Sequence, residues 1–153
     1  MYTQAKQHSY KLPQHLLQAR EAIMGHIRPT LNHFGLTEQQ WRVLRILSDF
    51  GDQEAGTVAE RACILSPSLT GILVRMEKAG LIIRQRDQTD SRRLIISIST
   101  HGKSTIRLIF PQLQDIYHKI EDYFGSDKTA ALISLLNDLE KIPVYHPKTM
   151  LAG

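Results

Sequence analysis

The chemistry open to this sequence rests on guanidinium groups and hydroxyls clustered in one stretch. Between Ser66 and Lys103 stand Arg75, Lys78, Arg84, Arg86, Arg92, Arg93 and Lys103, against three acids, Glu77, Asp87 and Asp90. The rest of the 153-residue chain holds 12 Lys/Arg and 12 Asp/Glu, so the entire net charge of +4 falls in that window. A cationic segment on a neutral body suits a polyanion, nucleic acid first and an acidic membrane second. Its first part, Ser66-Pro67-Ser68-Leu69-Thr70-Gly71, is small and hydroxylic, and its second part is rich in arginine. Asp90 stands two residues before Arg92, close enough to hold that guanidinium in one pose, although an Asp here also suits a plain turn.

Other chemistries lack their residues. No P-loop, G-x-G-x-x-G or H-E-x-x-H occurs. The histidines (His8, His15, His26, His33, His101, His118, His146) are scattered, so catalysis, cofactors and metal sites are not expected. Cys63 is the single cysteine. It excludes an intramolecular disulfide and a Cys-rich zinc cage, and it reads as a small buried hydrophobe rather than an oxidation sensor. No stretch approaches the ~20 apolar residues of a membrane span, and Met1–Leu12 is too polar for a signal peptide. A soluble cytoplasmic protein is expected.

The elements that would position the cationic stretch follow from periodicity. Leu16, Leu17, Ile23, Met24, Ile27, Leu31 and Phe34 form one helical stripe over 13–34. Thr37 can cap the Gln40 amide while Gln40 reaches back, and Leu36 can staple onto Trp41, opening a second helix that runs to Phe50 and buries Val43, Leu44 and Leu47. A short helix over 56–63 precedes a turn, in which Ser66 suits the N-cap and Pro67 the first helical position. In the helix that follows, Leu69, Ile72, Leu73 and Met76 face inward. Pro67, Ser68, Thr70, Gly71, Val74, Arg75 and Lys78 are left outside. Leu81/Ile83 and Leu94/Ile96/Ile98 alternate as the buried face of a hairpin. Ser99 opens a long helix to Phe124 with Ile106, Ile109, Leu113, Ile116, Ile120 and Tyr123 on its stripe. Ser126 caps a last helix carrying Leu132, Leu135, Leu136 and Leu139.

Two short helices joined by a tight turn and followed by a hairpin outline a winged helix-turn-helix. The fold class expected is mainly α with a small β-hairpin wing, plus helical dimerisation arms. Residues 1–12 form an N-terminal extension, 13–142 a single domain and 143–153 a tail. Within the domain, 13–35 and 100–142 are the arms, 36–99 the DNA unit and about 81–98 the wing. The DNA-contact candidates are Ser66, Pro67, Ser68, Thr70, Gly71, Arg75, Lys78, Arg84, Arg86, Asp90, Arg92 and Arg93. Arg75 is best suited to bidentate reading of guanine. The arm stripes are too long for so small a domain to cover, and imply a second copy of the chain. Two-fold symmetry would set the recognition helices ~34 Å apart on double-stranded operator DNA.

Asp90-Ser91-Arg92-Arg93 resembles the D-x-R-R wing motif of the MarR family of bacterial transcription regulators. Ile98-Ser99-Thr100-His101-Gly102 is similar to that family's L-T-x-x-G at the start of the long fifth helix, with Ile for Leu and Ser for Thr. Leu36-Thr37-Glu38-Gln39-Gln40-Trp41 resembles its second-helix start. A narrower similarity, to the branch repressing homoprotocatechuate (4-hydroxyphenylacetate) degradation operons, is carried by 16–22, Arg28-Pro29, Trp41-Arg42 and 64–73. The resemblance implies a homodimeric repressor that binds a small aromatic carboxylic acid between its arms and the DNA unit. Arg20, Met24, His26, Trp41 and Arg45 are the candidates for that ligand, Arg20 for the carboxylate and Trp41 with Met24 for the ring. Arg20 or Arg45 in a plain interhelical ion pair, oxidation of Cys63 as the signal, and a winged-helix protein-interaction module are the competing readings.

Overall fold

The computed structural model describes residues 9–143. Most of the expected extension (1–8) and tail (144–153) lies outside the described residues. A short 3-10 turn, Ser9–Lys11, leads into α1, Leu12–His33. Its stripe is buried only at the C-terminal end, where Ile27 and Leu31 enter the core and Met24 packs beside them; Leu16, Leu17 and Ile23 stay exposed. Gly35, at φ 70°, turns the chain. α2, Glu38–Phe50, starts on the capping box expected: Gln40 N–H donates to Thr37 Oγ1 at 3.1 Å and Thr37 N–H to Gln40 Oε1 at 3.0 Å. Such reciprocal capping satisfies two otherwise orphaned donors. Leu36 and Trp41 are both buried, and Ile46 joins Val43, Leu44 and Leu47 in the core.

Strand β1, Gln53–Glu54, is too short for any periodicity to announce it. α3, Ala55–Ala62, ends on Cys63 at φ 51°, a left-handed residue that lets Ile64 N–H return to Ala59 O. Cys63 is therefore exposed and not the buried hydrophobe expected, because the left-handed turn carries its side chain outward and sends Ile64 into the core. α4, Ser66–Lys78, follows at 108° to α3, within the range of helix-turn-helix pairs. Its N-cap is Leu65, with no side-chain cap, so Ser66 and Pro67 lie one position deeper in the helix than the sequence suggested. Leu69, Ile72, Leu73 and Met76 are buried as expected.

The wing strands are β2, Ile82–Arg86, and β3, Leu94–Ile98, and the sheet order is β1-β3-β2, all antiparallel. Ile82 is 2% exposed and Ile83 45%, the reverse of the expected Leu81/Ile83 alternation. Leu81 is buried ahead of the strand, its N–H closing α4 onto Met76 O, so the strand's parity starts at Ile82. The register pairs Ile82 with Ile98 and Arg84 with Ile96, placing Arg84 on the core side of the ribbon.

α5, Thr100–Phe124, opens on Ser99, whose Oγ accepts the Gly102 N–H at 2.9 Å. Ile106, Ile109 and Leu113 are buried, whereas Tyr123 at the far end of the expected stripe is 96% exposed. The chain divides into two compact units between Ile116 and Tyr117, within α5. The first holds the core described above. In the second, Gly125 at φ 102° precedes α6, Ser126–Leu139, and Ser126 does not cap it; Gly125 occupies that position and Thr129 Oγ1 bonds the Gly125 carbonyl. Within α6 no residue is buried, and Ile133 and Leu135 are exposed.

Candidate nucleic-acid interface

α4 sorts its side chains by face. Opposite the buried row lie Pro67, Gly71, Val74 and Lys78, spaced four, three and four apart. Ser68 and Arg75 flank this row on one side and Thr70 on the other. Ser66, Pro67, Ser68, Thr70, Arg75 and Lys78 are all exposed. Thr70 Oγ1 turns back toward the Ser66 carbonyl at 3.4 Å, a long contact that a stronger acceptor can replace. Arg75 lies back along the helix: its Nη1 sits 3.3 Å from where a Cβ on Gly71 would be. Gly71 thus makes room for the guanidinium while keeping the helix surface low.

On the wing the arginines take separate tasks. Arg84 donates to Glu77 of α4, Nη2 to Oε2 at 2.7 Å and Nε to the same oxygen at 2.8 Å. Arg93 is held at 2.7 Å by Glu54 of β1 and at 3.5 Å by Asp87. Both are committed within the protein, so they brace the wing against α4 and β1. Arg86 is exposed, with a single long contact to the Arg92 carbonyl at 3.5 Å. Arg92 has its side chain 90% exposed at the tip. Asp90 Oδ1 accepts both the Arg92 backbone N–H at 3.0 Å and its Nε at 3.1 Å, the fixed pose suggested by the two-residue spacing. Those bonds hold the Asp90 carboxyl below its ordinary value, as bonds from Thr89 do for Asp87. Glu54 in turn raises Arg93.

The ligand candidates fall differently. Glu38 takes Arg20 Nη2 at 3.1 Å and Arg28 Nε at 3.0 Å, and both arginines also bond Glu21, at 3.1 and 2.7 Å. This closed set of two guanidiniums and two carboxylates ties α1 to the start of α2. Arg20 is thus in the interhelical pair that was its competing reading. An open cleft of about 420 Å³ runs beside it, lined by Arg20, Arg28, Leu31, Thr37, Glu38 and Arg42 among others. Met24, His26, Trp41 and Arg45 do not line that cleft. His26 is exposed, and Trp41 is 6% exposed within the core. Arg45 pairs with Asp49 at 3.1 Å and lies over the Phe110 ring at 4.7 Å.

The sequence assigned no place in the site to Glu21, Arg28, Glu38, Arg42, Glu54 or Glu77. Only the Glu21–Arg28 pair had a local signal, seven residues apart on one helix face. Arg42 Nη1 donates to the Ala62 carbonyl at 2.6 Å, closing the end of α3, and its Nε is buried without a partner among the described residues.

Glu38 makes the network sensitive to acid. Burial pushes its carboxyl up, but bonds and charge from Arg20 and Arg28 outweigh this and hold it below the ordinary value. A depressed carboxyl stabilises the fold above its unfolded pKa, and the contribution is lost as pH falls through the lower folded value. Glu38→Gln is therefore expected to reduce stability at neutral pH and to flatten the loss on acidification. Urea midpoints measured from pH 7 to pH 3 would reveal this; parallel curves for the parent and the variant would refute it.

A bent helix pair with a polar, cationic outer face, continued by a braced hairpin with an arginine at its tip, defines a winged helix-turn-helix DNA-binding protein. The sequence profile of the MarR family matches residues 36–94. The chain is 42% identical to the HTH-type transcriptional regulator FarR of Neisseria gonorrhoeae, over 93% of this chain and 96% of that protein. It is 44% identical to the homoprotocatechuate degradative operon repressor of Escherichia coli, over 80% and 83% respectively. Among solved structures it is similar to NadR in complex with 4-hydroxyphenylacetate, with TM-score 0.77 and 41% identity over 86% of this chain and 94% of that one. The chain belongs to the MarR family. Among the described residues no single helix is long and apolar enough to cross a membrane.

Proposed function

We propose that this protein is a cytoplasmic, homodimeric repressor of an aromatic-acid catabolic operon, released from a pseudo-palindromic operator by a phenolic acid such as 4-hydroxyphenylacetate or 3,4-dihydroxyphenylacetate. The observation that carries the DNA half is that the exposed cations of α4 and the wing belong to one compact unit, with Arg92 presented at the tip by Asp90. In this reading Ser66, Pro67, Ser68, Thr70 and Gly71 approach the major groove. Arg75 reads a guanine, and Lys78 and Arg86 meet phosphate. Arg92 enters the minor groove or follows its backbone, while Arg84, Asp90 and Arg93 hold the wing in shape. Dimerisation is supported by apolar side chains left exposed on α1 (Leu12, Leu16, Leu17, Ile23) and, in the second unit, on α6 (Ile133, Leu135).

The effector half rests on similarity to NadR, crystallised with 4-hydroxyphenylacetate, and to the E. coli repressor whose name specifies homoprotocatechuate degradation. Its carboxylate displaces Glu38 from Arg20, and its ring packs by Trp41 and Met24, with His26 as a further donor. One observation favours Arg45 as an alternative carboxylate partner: it lies one turn from Trp41 and is already stacked on Phe110. Either way the ligand acts by preferring a dimer geometry with the wrong recognition-helix spacing.

Fluorescence anisotropy with the duplex upstream of the protein's own gene, against a scrambled duplex, tests both halves. Specific binding is expected to exceed scrambled by ~10³ or more. Either acid is expected to weaken it roughly 5–150-fold, the range of a ~1–3 kcal/mol coupling. Arg75→Ala is expected to weaken specific binding by a similar factor. Calorimetry on Arg20→Ala and Arg45→Ala then identifies the carboxylate partner. Specific binding indifferent to both acids would discard the effector, while loss after mild peroxide would return the signal to Cys63. Equal, steeply salt-dependent binding to both duplexes would overturn the repressor reading.

A further inference from the structure

We propose that Val74 reads the methyl group of a thymine in the operator, next to the base taken by Arg75; this rests on the DNA-binding reading above. Val74 stands at the centre of the outward row of α4, with Gly71 one turn before it and Lys78 one turn after. Its side chain is 45% exposed, and it is the apolar member of a face otherwise made of hydroxyls, cations, Pro67 and Gly71. The cations around it make a protein partner for this side chain a poor match and a polyanion a good one. The major groove of DNA offers one apolar group for such a side chain, the C5-methyl of thymine.

The geometry around Val74 sharpens the assignment. Arg75 folds back over Gly71, so its guanidinium and the Val74 isopropyl group lie on neighbouring parts of the same surface. The helix is low at Gly71 and stands up at Val74. A base with acceptors only at its edge, followed by one carrying a methyl, has the complementary profile. Guanine adjacent to thymine fits that description. Leu65 is more exposed than Val74 but is the N-cap of α4, before its first turn and off the outward row.

The test uses the full-length protein and its own operator, with each thymine of a half-site replaced in turn by deoxyuridine, which removes only the methyl group. For the parent, one replacement beside a guanine is expected to weaken binding roughly three- to tenfold, the scale of one or two buried methyl groups. Val74→Ala is expected to bind the unmodified operator more weakly by a similar factor and to be indifferent to that same replacement. Val74→Thr, which keeps one methyl and the β-branched shape, is expected to retain part of the sensitivity. Unchanged thermal melting of both variants separates recognition from folding. If Val74→Ala shows the parent's sensitivity at every thymine, or the parent shows none, the proposal is overturned. Failure of the parent to prefer the operator at all would overturn instead the reading on which the proposal rests.

Discussion

Gly102→Ala is expected to destabilise the protein by about 3 kcal/mol or more, lowering its melting temperature by roughly 6–12 °C. Gly102 sits in the first turn of α5, pressed against the base of the wing. A Cβ there would overlap the Leu81 carbonyl oxygen and come within 2.9 Å of Ile98 Cγ1 and 3.2 Å of the Leu81 carbonyl carbon. The obstacle is backbone, and the backbone is held on both sides. Leu81 N–H donates to Met76 O at 3.0 Å, and Leu81 O accepts Ser99 N–H at 3.1 Å. Ser99 Oγ completes the clamp, accepting the Gly102 N–H and donating to Gly80 O. Relief requires moving the start of α5 away from the junction of α4 with the wing, so the melting loss should come with weaker operator binding. Gly56→Ala, with nothing within 4 Å of its new methyl, is the control and is expected to be close to neutral. Thermal denaturation followed by circular dichroism checks both; a Gly102→Ala protein melting with the parent would refute the account.

The same junction shows what the sequence made legible. Ser99 and the α2 capping box could be read because capping acts over three residues, and the inward row of α4 because its period is that of the helix; Gly102 stood out only through its resemblance to the family's L-T-x-x-G. The parity of β2 could not be read. Leu81, Ile82 and Ile83 are all apolar, so alternation gives no preference until α4 decides where Leu81 is buried. Ser66 and Ser126 have the right side chain for a cap but not the position, since the backbone bends one residue earlier than composition suggests. The site suffered most from pairs distant in sequence. Arg93 is braced by Glu54, 39 residues away, and Arg20 by Glu38, 18 away. A list of cations near a wing therefore mixes those available to DNA with those already spent on the fold, and it is the pairing with Glu77, Glu54 and Asp87 that separates Arg84 and Arg93 from Arg92. By contrast Asp90 and Arg92 interact over two residues, and that contact was legible.

That local contact leads to an outcome in which two kinds of DNA binding respond differently. Asp90→Ala is expected to weaken operator binding roughly tenfold, through loss of the charge-assisted hydrogen bonds that fix Arg92. It is expected to leave binding to scrambled DNA unchanged or to strengthen it. The carboxylate is an anion facing a polyanion, so removing it favours every phosphate contact in proportion to charge alone. It fixes the Arg92 backbone and side chain together, and that ordering matters only where the guanidinium must arrive in one pose. Arg92→Ala differs in kind: both duplexes should lose affinity, and the slope of log K against log salt should fall by about 0.9 if one phosphate contact is removed. The strands themselves should survive either change, because Arg93 remains tied to Glu54 and Asp87. Anisotropy titrations of both variants on both duplexes across a salt series make the distinction. An Asp90→Ala protein that loses affinity equally for both duplexes, with the slope of Arg92→Ala, would mean that Asp90 only closes the turn and that Arg92 finds DNA without it.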